Sequence, residues 1–366
     1  MKAVSKKLYM AMFVAVLCLP LPCWALFGKF MDTVNYENRD WYTYGSCAAD
    51  YEAYFNDNLP FRNALVSLDS RLKYHLFRSS ANDDVIIGKE GWFFYNNADD
   101  GDPIACYRGS NMYEEAQLQE IAANLTSMEK RLKEQGIEFV VFVAPNKERI
   151  YSEMMPDFYG EPAKEYAALQ VISYLKDHTD LRVVYPYEEL MEAKKRLGDK
   201  ILYYKSDTHW NYLGGYVGST VLLRELGIEM PEITAGRLSI SEIGNITSDL
   251  ADMLNMGEDF RYKEPDYSIT GFQDHGMVND EWDFFQNFVY HSTGADERKL
   301  YIVRDSFCSS MSAFLGSQFN SSCMTHNSSY CYSDMVRQSP DIFVLEVVER
   351  YAGTLGTFDL FQDKAE

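Results

Sequence analysis

The chain has 366 residues and a formal net charge of −21, a length that suits one large domain or a domain with an appended piece. So acidic a balance opposes the phosphate contacts that nucleic-acid binding requires, and it opposes adhesion to anionic lipid. No nucleic-acid partner is expected, and an apolar share of 46% leaves enough material for a sizeable core.

The N-terminus reads as an export signal. Lys2, Lys6 and Lys7 precede an apolar run from Leu8 to about Phe27, and Cys23-Trp24-Ala25 offers small residues at cleavage positions. The run nearly reaches the ~20 apolar residues of a spanning helix, so residues 1–27 stand as a signal peptide or a signal anchor, with Pro20 and Pro22 favouring cleavage. A periplasmic or cell-surface location follows as the expectation. An oxidising compartment makes disulfides expectable among Cys47, Cys106, Cys308, Cys323 and Cys331. The pairings suggested are Cys323 with Cys331 and Cys47 with Cys106, with Cys308 left over. No CxxC pair or HExxH run occurs, so no metal site is expected.

Residues 28–110 read as an N-terminal extension. Leu65, Leu68, Leu72 and Leu76 fall at helical spacing, and Val85-Ile86-Ile87 and Trp92-Phe93-Phe94-Tyr95 flank a Gly-bounded turn that predicts a hairpin. From 111 the pattern turns regular. Leu118, Ile121, Ala122, Leu125, Met128 and Leu132 form one helical face, and Phe139–Val143 is a continuously apolar strand of the kind buried on both faces. Helices over about 163–176 and 187–196 alternate with strands at Val183-Val184-Tyr185 and Ile201–Tyr204. A further helix runs from about Tyr212 to Leu226, with Gly214, Gly215 and Gly218 suited to close helix packing. Residues 228–298 break this rhythm and are taken as an insertion bordering the site. The alternation resumes with Leu300–Val303, a helix through Leu315 and the strand Ile342–Glu346, before a tail over 353–366. Such alternation predicts an α/β fold with a mostly parallel sheet.

Chemistry concentrates in two polar loops. In Lys205-Ser206-Asp207-Thr208-His209-Trp210-Asn211, Asp207 and His209 stand two apart, so the carboxylate can hold and polarise the imidazole as a general base. Ser306, in Arg304-Asp305-Ser306-Phe307, follows an apolar strand where the backbone turns into a helix, which exposes a hydroxyl and aims N–H groups at the same space. Taken alone, Ser306 is better explained by a helix cap, and His209 is as well explained by a packed, hydrogen-bonded core residue. Two loops opening on the same edge of a parallel sheet favour one shared serine-nucleophile site. Asn146 and Lys147 end the Phe139 strand, and Arg350 follows the last one; these are further candidates for oxyanion or substrate binding, beside Phe307 and Trp210.

In these residues the chain resembles the SGNH hydrolase-like proteins of the alginate O-acetylation family AlgJ/AlgX and their DHHW and DltD-like relatives. The resemblance rests, in chain order, on Phe61-Arg62, Gly88–Tyr95, Pro145-Asn146-Lys147, Asp207–Asn211, Asp249-Leu250-Ala251, Arg304–Phe307 and Glu346–Tyr351. It implies a three-layer SGNH-like α/β domain over 111–352, with the motif order permuted so that Asp-x-His precedes Ser. It further implies Ser306 as nucleophile, His209 as base and Asp207 as orienting carboxylate, with no cofactor. The activity implied is O-acetyl transfer to an exported or cell-surface polysaccharide, with a membrane-bound O-acyltransferase supplying the acetyl group. A carbohydrate acetyl esterase and a non-catalytic polysaccharide-binding scaffold remain the alternatives.

Overall fold

The computed structural model describes residues 2–19, 22, 26, 62–233 and 238–363, and the chain divides into two compact units. The first comprises residues 1–81 with 254–256; it carries the helices Lys2–Cys18 and Arg62–Leu72, the second continued by a π-helical turn, Lys73–Phe77, that Arg78 closes in the left-handed region. Among the described residues no helix is long and apolar enough to cross a membrane. Phe61 and Cys47, on which two of the sequence expectations fall, lie outside the described residues.

The second unit, residues 82–253 with 257–366, holds the sheet. Its strands are β1 (Val85–Ile87), β2 (Phe93–Tyr95), β3 (Glu138–Ala144), β4 (Val183–Val184), β5 (Ser239–Gly244) and β6 (Pro265–Thr270). They continue with β7 (Val278–Trp282), β8 (Asn287–His291), β9 (Asp296–Arg304), β10 (Phe319–His326) and β11 (Ile342–Val348). Seven strands form one sheet in the order β4-β3-β11-β9-β10-β8-β7. The five from β4 to β10 run parallel, and β8 and β7 add an antiparallel edge. β1 and β2 form the expected hairpin, and β5 and β6 a separate antiparallel pair.

The apolar runs of β3, β9 and β11 fill both faces by strict alternation. Val140 and Phe142 join Val344 and Ile302 in one core; Val141, Val143, Phe343, Leu345 and Tyr301 join the other. Helix Glu115–Glu134 covers the second core with Leu118, Ile121, Leu125, Met128 and Leu132, beside Ala167–His178. Helices Tyr187–Leu197 and Tyr212–Glu225 cover the first. The result is a three-layer α/β arrangement, as expected. Each of these fully buried Val, Leu or Phe side chains stabilises the fold by about 1.5–3 kcal/mol through burial.

Three expectations are corrected. Ile201–Tyr204 is no sheet strand; it closes on its own loop, with Tyr203 bridging Trp210, Tyr204 N–H donating to the His209 carbonyl at 3.2 Å, and Asn211 N–H to Leu202 at 3.0 Å. Residues 228–298 are not wholly apart, because β7 and β8 extend the main sheet. Cys323 and Cys331 are free thiols: Cys331 Sγ lies 3.0 Å from Asp363 Oδ1, and Cys323 Sγ 3.7 Å from Thr325 Oγ1. The tail is also structured, since Asn124 Nδ2 donates to the Leu355 carbonyl at 2.9 Å and Leu360 is buried.

Beneath the strand ends lies a buried ion pair. Arg149 Nε meets Glu349 Oε1 at 2.9 Å, and Glu349 Oε2 also accepts from the Asn146 N–H at 2.9 Å and the Tyr185 hydroxyl at 3.0 Å. Removing one partner leaves an uncompensated buried charge. Glu349→Ala is therefore expected to lower unfolding free energy by about 3–5 kcal/mol in a urea titration, with Glu349→Gln losing less.

Candidate active site

Asp207 is the anchor of the site and is 1% exposed. Its Oδ1 accepts from the His209 N–H at 2.9 Å and lies 2.7 Å from His209 Nδ1. Its Oδ2 accepts from the Asp249 N–H at 2.9 Å and from the Thr247 hydroxyl. With Nδ1 bound to the carboxylate, the other ring nitrogen is aimed outward, and His209 Nε2 sits 2.7 Å from Ser306 Oγ. Residues 97 apart in the chain are thus joined in one hydrogen-bonded line.

Electrostatics follow from this arrangement. Burial works to lower the His209 pKa, but the Asp207 charge and hydrogen bond, with Asp249 adding to them, raise it above the ordinary 6.5. Burial likewise pushes against ionisation of Asp207, yet the imidazolium and its hydrogen bonds hold the carboxyl below its ordinary range. Asp249 is pushed up to about 6 by burial and by the Asp207 charge. Its Oδ2 lies 3.5 Å from His209 Nδ1, and its Oδ1 accepts from the Thr208 N–H at 2.7 Å. The donor atoms of Asp207, His209 and Asp249 fall within 4.8 Å of one another, a spacing that could gather a cation. Both Asp207 oxygens are already taken by protein donors, which suits a proton relay better.

Ser306 does not cap the helical turn Phe307–Ser310 with its side chain. Asp305 does that work: Oδ1 accepts from the Phe307 N–H at 2.8 Å and Oδ2 from the Val348 N–H at 2.6 Å, while Asp305 N–H donates to Glu346 Oε2 at 2.8 Å. Burial and the Asp305 charge push the Glu346 carboxyl well above its ordinary range. Arg304, fully buried, donates to the carbonyls of Phe284 at 2.7 Å and Asp305 at 3.2 Å and stacks on Phe288 at 3.8 Å. The Ser306 hydroxyl is left free for His209.

The helix Tyr212–Glu225 brings the loops together. Asn211 caps it, its Oδ1 accepting from the Leu213 N–H at 3.0 Å. A Cβ on Gly215 would stand 2.4 Å from the Ser310 carbonyl oxygen, and one on Gly214 2.4 Å from that of Leu202. Only side-chain-free positions allow this approach, as the sequence suggested.

The other sequence candidates divide. Trp210 is fully buried and its Nε1 donates to the Phe307 carbonyl at 2.8 Å, so it clasps the two loops and offers no face to a substrate. Lys147, also buried, donates from Nζ to the carbonyls of Asp207 at 2.7 Å and Lys205 at 2.9 Å, above Trp92 and Phe94. Burial draws its pKa down to about 8 against the pull of nearby carboxylates. It braces the His209 loop and does not reach outward. The Phe307 N–H is engaged by Asp305, which removes it as an oxyanion donor; no acceptor engages the Ser306 N–H among the described residues. Asn146 is buried with both amide atoms unpartnered, and it lines neither cavity beside Ser306. Arg350 does line one of them, its guanidinium 5.6 Å from the Phe307 ring and 4.9 Å from Tyr351.

Ser306 is open to two cavities. One, of about 440 Å³, is shared with Asp207, His209, Asp249 and Trp282; the other, of about 580 Å³, with Asp305, Glu346, Arg350 and Tyr351.

Residues 85–266 match the family model of the SGNH hydrolase-like domain of the acetyltransferase AlgX. Similar curated proteins include the probable alginate O-acetylase AlgJ of Pseudomonas fluorescens, 25% identical over 228 residues, covering 61% of this chain and 53% of that protein. The chain belongs to the AlgJ/AlgX family of SGNH hydrolase-like proteins. The Pseudomonas aeruginosa AlgJ matches at 25% over 190 residues, covering 51% of this chain and 43% of its own length. This chain thus spans about half the length of the AlgJ/AlgX-family relatives it matches. Among solved structures, Bacillus cereus PatB1 shares the fold at 15% identity and a TM-score of 0.54, covering 77% of this chain and 100% of that one. A DHHW family protein from Eubacterium siraeum shares it at 13% and 0.53, covering 76% and 99%.

Thr208, Thr247, Asp249 and Glu264 escaped sequence reasoning as site residues. Asp249-Leu250-Ala251 drew notice only as part of the AlgJ/AlgX resemblance; Thr247 and Glu264 carry no local pattern that marks them. Glu264 Oε1 accepts from the Ser206 N–H at 3.1 Å and fixes the loop from outside. The electrostatics predict that the His209 ring titrates above 6.5 in a pH series of NMR spectra. Asp249→Asn should move that midpoint down, because a raising charge is lost; an unchanged or higher midpoint would contradict the coupling.

Proposed function

We propose that this chain is an exported O-acetyltransferase that moves an acetyl group onto a polysaccharide hydroxyl through an acetyl-Ser306 intermediate. The observation that carries the reading is the line from Asp207 Oδ1 to His209 Nδ1 and from His209 Nε2 to Ser306 Oγ, each link 2.7 Å. Membership in a family whose members are named acetyltransferases and alginate O-acetylases supports it. Export rests on Lys2, Lys6 and Lys7 before the apolar run. A membrane-bound O-acyltransferase as acetyl supplier is the partner that the family suggests.

In the first half-reaction His209 Nε2 accepts the Ser306 proton as Oγ attacks the acetyl carbonyl carbon. The oxyanion meets the free Ser306 N–H. The intermediate collapses as the donor's C–O bond breaks, and the imidazolium protonates the leaving oxygen. In the second half a sugar hydroxyl gives its proton to His209 and attacks the acetyl carbon; the bond to Oγ breaks and Ser306 regains a proton. Asp207 stabilises the imidazolium in both halves. Transfer is favoured over hydrolysis by the two openings onto Ser306, one for each partner of a two-step exchange.

The test is hydrolysis of a chromogenic acetyl ester with intact-mass analysis. Wild type is expected to turn over and to show one acetyl group on Ser306, while Ser306→Ala and His209→Ala lose about a thousandfold or more in kcat/KM. Turnover that survives in both variants, or no turnover in any form with sugar binding intact, would overturn the enzyme reading in favour of another site or of a scaffold.

A further inference from the structure

We propose that the cavity of about 440 Å³ beside Ser306 is the acceptor subsite, and that it takes a pyranose bearing no carboxylate rather than a uronate. This rests on the acetyl-serine reading above and deepens it by naming the substrate class. The size falls in the roughly 300–1,000 Å³ range of small-molecule sites.

Besides the buried Tyr204, three aromatic side chains line the cavity from outside the catalytic line. Trp282, at the end of the edge strand β7, is 57% exposed; one face stacks on Phe288 at 5.1 Å and 15°, which leaves the other open. Phe284 follows it in the turn to β8, held by the Arg304 bond to its carbonyl. Tyr212 opens the helix across the cavity and is 37% exposed. Flat rings with free faces bury the C–H face of a pyranose and leave its hydroxyls at the edge, where His209 and Ser306 stand.

Charge sets the class. Asp207, Asp249 and Asp252 all line the cavity. The one arginine there, Arg261, is engaged by Asp252 and by Glu258, each at 2.6 Å, so its charge is already answered. A carboxylate entering this space meets like charge with no free cation among the described lining residues, and the chain's net charge of −21 adds the same sign at long range. An uncharged pyranose meets no such penalty, and an amino sugar gains from the carboxylates and from the open indole.

The full chain is assayed for acetyl transfer from a chromogenic acetyl ester to three oligosaccharide series: gluco-oligosaccharides, chitosan oligosaccharides with free amines, and oligomannuronates. The uncharged or the amino series is expected to exceed the uronate series by about tenfold or more in kcat/KM, the two arms showing which source is preferred. Trp282→Ala should raise the acceptor KM about tenfold with kcat within about threefold. Asp252→Asn, which removes one lining carboxylate and leaves Arg261 paired with Glu258 alone, should narrow the gap against uronates. Calorimetric binding of the same series to Ser306→Ala reads the cavity without chemistry, so failure of the serine mechanism is separable from failure of this assignment. Uronates that bind or react as well as the others, or a Trp282→Ala variant with unchanged acceptor KM and affinity, would overturn it.

Discussion

The bond from the Trp210 indole to the Phe307 carbonyl is the join on which this site depends. It ties the loop carrying His209 to the turn carrying Ser306 at 2.8 Å, one residue from each functional side chain. Neither loop has a regular partner of its own. The His209 loop hangs from a single bridge and from contacts with Lys147, Glu264 and the segment Thr247–Asp249, while the Ser306 turn is held by Asp305 and Arg304. A shift of either loop would break a hydrogen-bonded line whose links leave little slack.

The supports share one character. Lys147, Arg304, Arg149, Asp305 and Glu349 are buried charged groups, and each is directed at backbone N–H or carbonyl groups of loops or of short elements and strand ends beside them. Buried charges are costly, and hydrophobic replacements can be as stable. What they supply here is position: loops lack a ladder of their own, and a buried ion that must satisfy every bond tolerates few alternative backbone paths.

Much of the architecture was legible because the strands that bear it are unbroken apolar runs. Phe139–Val143, Leu300–Val303 and Ile342–Leu345 announced a doubly covered parallel sheet, and the spacing of Leu118 to Leu132 its helix. The meeting of His209 with Ser306 was readable for a related reason, as chemistry-bearing residues beside apolar segments. His209 and Ser306 come within 2.7 Å even though Ile201–Tyr204 joins no sheet and is shaped by its closure on Trp210. Trp210 and Lys147 were misjudged because an aromatic ring and an ammonium in a site loop look alike whether they face outward or inward; only burial separates them. Thr247 and Asp249 lay beyond reach because their role exists only once a distant segment folds over Asp207. The β7–β8 edge was hidden by polar, exposed residues that carry little periodic signal.

The bare face of the helix Tyr212–Glu225 has a wider meaning. Gly214 and Gly215 let two carbonyls come where a methyl group would stand, and Gly218 makes room for the Trp210 ring. The Ser306 hydroxyl is therefore set by atoms that are missing from a helix nearly a hundred residues upstream. A redesign that keeps every polar group but enlarges those three positions would hold all the reagents and lose the distance between them.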